Sequence, residues 1–135
     1  KYLNSQEPLY PCNAVDDRYQ STCYLMQTSY MLKVTNGDFV KVFALCEEVG
    51  VHTATCFQSL GRDASGRSSS NAEATKDACN LGQSFEARTN CVIGAVKDFI
   101  SYFHSDVQAK AFCDSLDADL RQTCTSAAES YYKSL

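Results

Sequence analysis

The chain has 135 residues, of which 44% are hydrophobic and 11% aromatic, and this composition predicts one folded domain over residues 1–135. Its formal net charge is −4, and its twelve Lys and Arg residues are scattered singly along the sequence. Since nucleic-acid binding needs clustered positive charge, we expect no nucleic-acid partner. The apolar runs are only a handful of residues long, so we also expect no transmembrane segment.

The cysteines are the first informative feature of the sequence. They are Cys12, Cys23, Cys46, Cys56, Cys79, Cys91, Cys113 and Cys124. No two of them form the close C-x2-C pair that is typical of zinc sites, and two histidines are too few to complete several such sites. We therefore predict disulfides with no metal and no cofactor. Disulfides in turn predict an oxidising location, which is secreted, periplasmic or otherwise extracellular.

The spacing of the cysteines reveals a period of about 34 residues. Taken alternately, the first cysteine of each pair steps by 34, 33 and 34 residues, and the second by 33, 35 and 33. A fixed period of this length is typical of two-helix repeats. The predicted fold class is therefore all-α, with four tandem disulfide-clipped helical hairpins. The units cover about residues 1–35, 36–70, 71–103 and 104–135.

Turn and capping residues lie between the two cysteines of each pair, for example Gly50 in unit two and Gly82 with Ser84 in unit three. Glycine favours the end of a helix, and Ser or Asp favours the start of the next one. Each unit is thus predicted as a helix A that ends near the first cysteine and a longer helix B that carries the second.

Apolar residues at spacings of three and four predict a helix over Phe85 to Phe103 and another over Phe39 to Glu47. Small residues recur three and four positions after the second cysteine, which indicates close packing between neighbouring helices. They are Ser59, Gly94, Ala95, Ala127 and Ala128. Arg88 and Arg121 each precede a second cysteine by three residues, and we expect them to contact the carbonyl end or acidic residues of the paired helix A.

Two disulfide arrangements fit these spacings. In one, both cysteines of a pair lie on a single helix, as in the twin-cysteine proteins of the mitochondrial intermembrane space, and the pairs join two helices. Separations of ten and twelve residues differ by about 200° around one helix, so a single helix does not direct all pairs alike. Bonds within each hairpin are therefore preferred, namely Cys12–Cys23, Cys46–Cys56, Cys79–Cys91 and Cys113–Cys124.

The 34-residue period and the cysteines that clip each hairpin, clearest in ALCEEVGVHTATCFQSLG, resemble the disulfide-bridged Sel1-like repeats of secreted bacterial cysteine-rich proteins, which are TPR-like two-helix repeats. The resemblance implies an array of paired helices. It also implies a role in binding and protein–protein contact.

The repeat is interrupted at two places. Residues 1–11 contain Pro8 and Pro11 and predict an irregular N-terminal arm, whose Tyr2 and Tyr10 either dock on a partner or strap over the first unit. The segment GRDASGRSSS at residues 61–70 predicts a flexible polar loop in place of the second half of helix B. Its Arg62 and Arg67 are candidate contacts for an anion or a partner, and a merely solvated loop is the other interpretation.

No motif of a catalytic nucleophile is present, so no catalytic residue is predicted. The leading hypothesis is a non-enzymatic extracytoplasmic scaffold or interaction module with a protein partner, within a larger assembly. One alternative is a disulfide-stabilised carrier for a small apolar ligand, and the other is the intermembrane-space type of twin-cysteine protein.

Overall fold

The computed structural model describes Cys12, residues 17–69 and residues 71–135, and this part of the chain is all-helical and contains no strand. The helices are α1 (Asp17–Val34), α2 (Phe39–Cys46), α3 (Thr53–Arg67), α4 (Ala72–Cys79), α5 (Phe85–Phe103), α6 (Val107–Asp114) and α7 (Ala118–Lys133). A short 3₁₀ turn at Gly50–His52 precedes α3. The predicted all-α class is confirmed. None of these helices is both long enough and apolar enough to cross a membrane.

Short and long helices alternate along the chain. The short helices α2, α4 and α6 have eight residues each, and the long helices α3, α5 and α7 have 15 to 19. Each short helix pairs with the long helix that follows it. The long helices pack side by side in chain order, α1 against α3, α3 against α5, and α5 against α7. Neighbours in sequence are thus neighbours in space, while the structural repeat itself stays a prediction.

All eight cysteines form disulfides, and each bond joins the two members of one pair. The bonds are Cys12–Cys23, Cys46–Cys56, Cys79–Cys91 and Cys113–Cys124. The preferred pairing is therefore confirmed. The twin-cysteine alternative is wrong for this chain, because α2 ends at Cys46 and a separate helix carries Cys56, so the two cysteines do not share one continuous helix.

Aromatic side chains from the long and short helices pack against each other in the core. Phe57 on α3 packs against Phe43 on α2, with 5.8 Å between ring centroids. Phe99 on α5 meets Phe112 on α6 edge to face at 5.0 Å, and both rings are almost fully buried. Such pairs contribute about 1 kcal/mol beyond the burial of their area. Each contact fixes a long helix against a short one.

The predicted loop at residues 61–70 is wrong, because α3 continues as a helix through Arg67. Gly61 is buried in the middle of this helix, facing α5 so closely that a Cβ atom on it would lie 1.8 Å from the carbonyl oxygen of Cys91. The glycine is thus a contact point between helices and not a helix breaker. Only the final residues turn: Ser68 caps α3 through hydrogen bonds to the carbonyls of Ala64 and Ser65 at 3.0 and 3.1 Å.

The helix start predicted at Ser84 is confirmed. Ser84 caps α5 by accepting a hydrogen bond from the backbone N–H of Ala87 at 3.0 Å. Arg88 donates to the carbonyl oxygen of Gly82, and Arg121 donates to that of Leu116, each at 3.0 Å. Both acceptors lie three residues beyond the first cysteine of their pair. The predicted contact with the carbonyl end of the short helix is thus made instead in the turn that follows it, three residues beyond α4 and two residues beyond α6.

Candidate interaction groove

Tyr2 and Tyr10, with the rest of the arm at residues 1–11, lie outside the described residues. Arg62 and Arg67 both lie on α3, where a separation of five residues places them about 140° apart around the helix axis. The guanidinium of Arg67 lies over the turn between α1 and α2, so that a Cβ atom on Gly37 would come within 3.1 Å of its Nη2 atom. The two arginines thus do not form one site.

Arg62 instead lines a surface groove that crosses the three long helices α3, α5 and α7. The groove has a volume of about 410 Å³. Its lining residues are Gln58, Arg62, Gly94, Lys97, Asp98, Ser101 and Tyr131. We call this the long-helix groove. The four residues from α5 follow the spacing i, i+3, i+4 and i+7, which places them on one face of that helix.

Hydrogen bonds between helices hold the polar end of the long-helix groove. The side-chain amide of Gln58 on α3 donates to Oδ1 of Asn90 on α5 at 2.9 Å. The ammonium group of Lys97, also on α5, donates to Oε1 of Gln58 at 3.5 Å. Gln58 is therefore fixed at both ends of its amide, and its position relative to Lys97 is set by the packing of α3 on α5.

Tyr131 extends the groove onto α7. The Lys97 ammonium lies 5.8 Å from the centroid of the Tyr131 ring, which is within the range of a cation–π contact. The hydroxyl groups of Tyr131 and Ser101 are hydrogen-bonded at 3.2 Å. These two contacts join α5 to α7 at the edge of the groove.

Gly94 forms the floor of the groove, because α5 has no side chain there and crosses the backbone of α3. A Cβ atom at this position would lie 1.8 Å from the carbonyl oxygen of Gln58. Gly94 and Gly61 thus contact opposite backbones at the same helix crossing. The predicted packing role of the small residues is confirmed at this crossing for Gly94, and Ser59 and Ala95 are also fully buried.

A second depression of about 450 Å³ adjoins the long-helix groove at Ser101, which lines both. Its other lining residues are Ile100, His104, Tyr132 and Leu135, which lie at the C-terminal ends of α5 and α7. We call it the apolar depression. His104 ends α5 in the left-handed conformation with φ of 57°, and its N–H bonds the carbonyl of Ile100 at 2.8 Å.

The long-helix groove has a different charge balance from the chain as a whole. Two cations, Arg62 and Lys97, and one carboxylate, Asp98, line it, while the complete chain has a net charge of −4. A cationic surface on an acidic molecule attracts a negatively charged ligand to that place. The chemistry available in the groove is therefore recognition through charge, amide and hydroxyl groups.

The sequence indicated Arg62 as a contact residue, but it did not indicate Gln58, Lys97 or Ser101. The face formed by Gly94, Lys97, Asp98 and Ser101 has helical spacing that is readable in the sequence. What the spacing does not reveal is that α3 and α7 border this face. In the described part of the chain, no group of three or more His, Cys, Asp or Glu side chains is arranged to hold a metal ion.

The sequence matches no protein-family model, and neither a curated protein nor a solved structure shows significant similarity to it.

Proposed function

We propose that this chain is a non-enzymatic interaction module of an oxidising compartment outside the cytoplasm, and that the long-helix groove binds its protein partner. The observation that carries the proposal is a groove shared by three helices, each of which is clipped by a disulfide. Helices fixed in this way hold the side chains of the groove in position before binding, which lowers the entropy cost of association.

The disulfides support the location. Four bonds that use every cysteine of the chain form and persist where the surroundings are oxidising, as they are outside the cytoplasm. Secretion or residence in a periplasm is the form of this location that we propose.

Ser101 offers a direct test because it is exposed and lines both the groove and the apolar depression. An arginine at this position fills both with a bulky side chain without entering the core. The matched control is Ser126→Arg on α7, an exposed serine that lines neither.

The tagged chain would be recovered from its native cells under non-reducing conditions. We expect a partner protein to be recovered with the wild type and with Ser126→Arg, and to decrease about tenfold or more with Ser101→Arg. Equal thermal unfolding midpoints would show that both variants are folded. Recovery of the chain alone, or equal recovery of the partner with both variants, would contradict the proposed function.

The apolar depression supports a second candidate function, which is the carrier of a small apolar ligand. Tyr132 and Leu135 offer such a ligand exposed apolar surface at the C-terminal ends of α5 and α7. Native mass spectrometry of the purified chain tests this. A bound organic molecule that is retained by Ser126→Arg and lost from Ser101→Arg would favour the carrier over the protein-binding module.

A further inference from the structure

We infer that the long-helix groove and the apolar depression together recognise an extended segment of the partner protein that has an acidic residue followed three positions later by a large apolar residue. The inference rests on the proposed function and adds the chemistry of the partner. It is argued from the charge of one end, the apolar character of the other, and the distance between them.

The acidic residue is indicated by Lys97. Its ammonium group carries three donor hydrogens, and its contacts in the described residues are the 3.5 Å bond to Gln58 and the face of the Tyr131 ring. Neither contact neutralises the positive charge. Arg62 and Asp98 also line the groove, so that with Lys97 its described lining carries one net positive charge. A carboxylate placed there gains charge-assisted hydrogen bonds, which are stronger than bonds between neutral groups.

The apolar residue is indicated by the depression beyond Ser101. Tyr132 and Leu135, which line it, remain 44% and 73% exposed and offer apolar surface. Burial of an aliphatic or aromatic side chain there removes apolar area from water on both partners. A second charged residue would gain nothing comparable, because none of the described residues that line this depression is Lys or Arg.

The spacing of the two groups follows from α5 itself. Lys97 lines the long-helix groove, and His104, the C-cap residue of α5, lines the apolar depression seven residues further along the chain. At 1.5 Å per residue this separation is about 10.5 Å along the helix axis. An extended chain covers that distance in about three residues. The pattern acidic-x-x-apolar thus fits an extended segment.

Polar groups lie between the two ends, where the backbone of such a segment would pass. The hydroxyls of Ser101 and Tyr131 bond each other at 3.2 Å, and each retains capacity for a further bond. An extended backbone presents N–H and C=O groups that need partners when they leave water. The middle of the surface therefore suits a peptide backbone better than a continuous hydrocarbon chain.

The test selects peptides without assuming the partner. A phage library of random 12-residue peptides is panned on the oxidised full chain, and an enriched peptide is made with a fluorescent label for anisotropy titration. We expect enrichment of Asp or Glu with a large apolar residue three positions later. Lys97→Gln should weaken binding about fivefold or more, because it removes the charge and keeps much of the side chain.

Lys41→Gln, at an exposed lysine on α2 outside both surfaces, is the matched control and should leave the affinity unchanged. Affinity for the selected peptide should also fall as the salt concentration rises. Failure of the library to yield a binder, enriched peptides without an acidic residue, or equal affinity of the wild type and Lys97→Gln would each overturn the inference.

The outcomes separate this inference from the function on which it rests. One outcome is that the enriched peptides lack an acidic residue and yet fail to bind the Ser101→Arg variant. That result would support the groove as a partner site and would overturn the acidic-x-x-apolar pattern. Loss of the native partner from Ser101→Arg, together with no effect of Lys97→Gln, would have the same meaning. Only the absence of a native partner dependent on Ser101 contradicts the proposed function itself.

Discussion

Two glycines determine how closely α3 and α5 approach. At Gly61 and at Gly94 an added Cβ atom would lie 1.8 Å from a backbone carbonyl oxygen of the opposite helix. The neighbouring atoms belong to helix backbones, which do not move aside as a flexible side chain would. Glycine is about 1 kcal/mol less favourable than alanine inside a helix. The close contact that glycine permits here outweighs this cost.

We predict that Gly94→Ala destabilises the protein by about 3 kcal/mol, because the methyl group overlaps the backbone of Gln58 and forces the helices apart. Gly61→Ala should act similarly at Cys91. Gly66→Ala is the matched control: it lies on α3 with no other atom within 4 Å of the added methyl, so it should be neutral or stabilising by about 0.5 kcal/mol. Denaturant unfolding with the disulfides intact measures all three, and a neutral Gly94→Ala would contradict the close crossing.

Thr28 makes the buried polar contact between α1 and α3. Its hydroxyl is fully buried and bonds the Ser59 hydroxyl at 2.7 Å and a carboxylate oxygen of Asp63. Ser29, which is exposed, donates to the other carboxylate oxygen of Asp63 at 2.9 Å. The Asp63 carboxylate thus accepts hydrogen bonds from one buried and one exposed hydroxyl group of α1.

Removal of the buried Thr28 hydroxyl should lower the free energy of unfolding much more than removal of the exposed Ser29 hydroxyl. We predict that Thr28→Val, which keeps the shape of the side chain, lowers the free energy of unfolding by about 2 kcal/mol, since Ser59 and Asp63 lose a partner away from water. Ser29→Ala should lower it by less than about 1 kcal/mol, because water replaces the exposed hydroxyl. Chemical denaturation compares the two, and equal losses would show that the network is not effectively buried.

At the scale of elements, the hairpin turns before α5 and α7 are each fixed by a disulfide and by a side-chain bond to the turn backbone. In units three and four an arginine on the long helix donates to a turn carbonyl, from Arg88 to Gly82 and from Arg121 to Leu116. Before α5 the turn also ends with Ser84, whose side chain caps the helix by accepting a hydrogen bond from the N–H of Ala87. The short helices are thus held by local chemistry as well as by the core.

The two arginines differ in exposure, and their substitution should differ accordingly. Arg88 is half-buried and Arg121 is exposed. We predict that Arg88→Met lowers the free energy of unfolding by about 1.5 kcal/mol, whereas Arg121→Met lowers it by about 0.5 kcal/mol, because water replaces the exposed donor more easily. The effects should add in the double variant, since the residues hold different turns. A larger effect at Arg121, measured by thermal unfolding, would contradict this ranking.

At the scale of the whole molecule, four disulfides restrict the conformations that are open to the unfolded chain. Each closes a ring of 10 to 12 residues in sequence separation. In the chain-entropy model a ring of this size contributes up to about 3 kcal/mol. We predict that replacing Cys79 and Cys91 together by serine lowers the unfolding free energy by about that amount. An unchanged denaturation midpoint would show that the bond adds nothing to the stability.

The bonds should also differ in their accessibility to a reductant. Cys23 is half-buried, whereas the other seven cysteines have at most 1% of their surface exposed. We therefore predict that limited reduction opens Cys12–Cys23 before the other three. Alkylation followed by non-reducing peptide mapping identifies the first thiols to be released. Early labelling of Cys56 or Cys91 would contradict the burial of their disulfides.

Much of the fold can be predicted from local patterns in the sequence. The cysteine period predicts the pairing, because a hairpin turn brings the two cysteines of a unit together regardless of small differences in length. The apolar spacing predicts α5 at its observed limits, Phe85–Phe103, and α2 to within one residue. These features depend on residues that are close in sequence, so a single chain without its tertiary context suffices to predict them.

What the tertiary structure alone decided depends on contacts between distant residues. Gly61 and its polar neighbours have weak helix propensity and predicted a loop, yet the packing of α3 on α5 keeps the helix intact as far as Arg67. The same packing separates Arg62 from Arg67 and brings Arg62 to Lys97 and Tyr131, which follow it by 35 and 69 residues. Helical spacing determines which residues share a face, but only the packing of whole helices determines which faces meet.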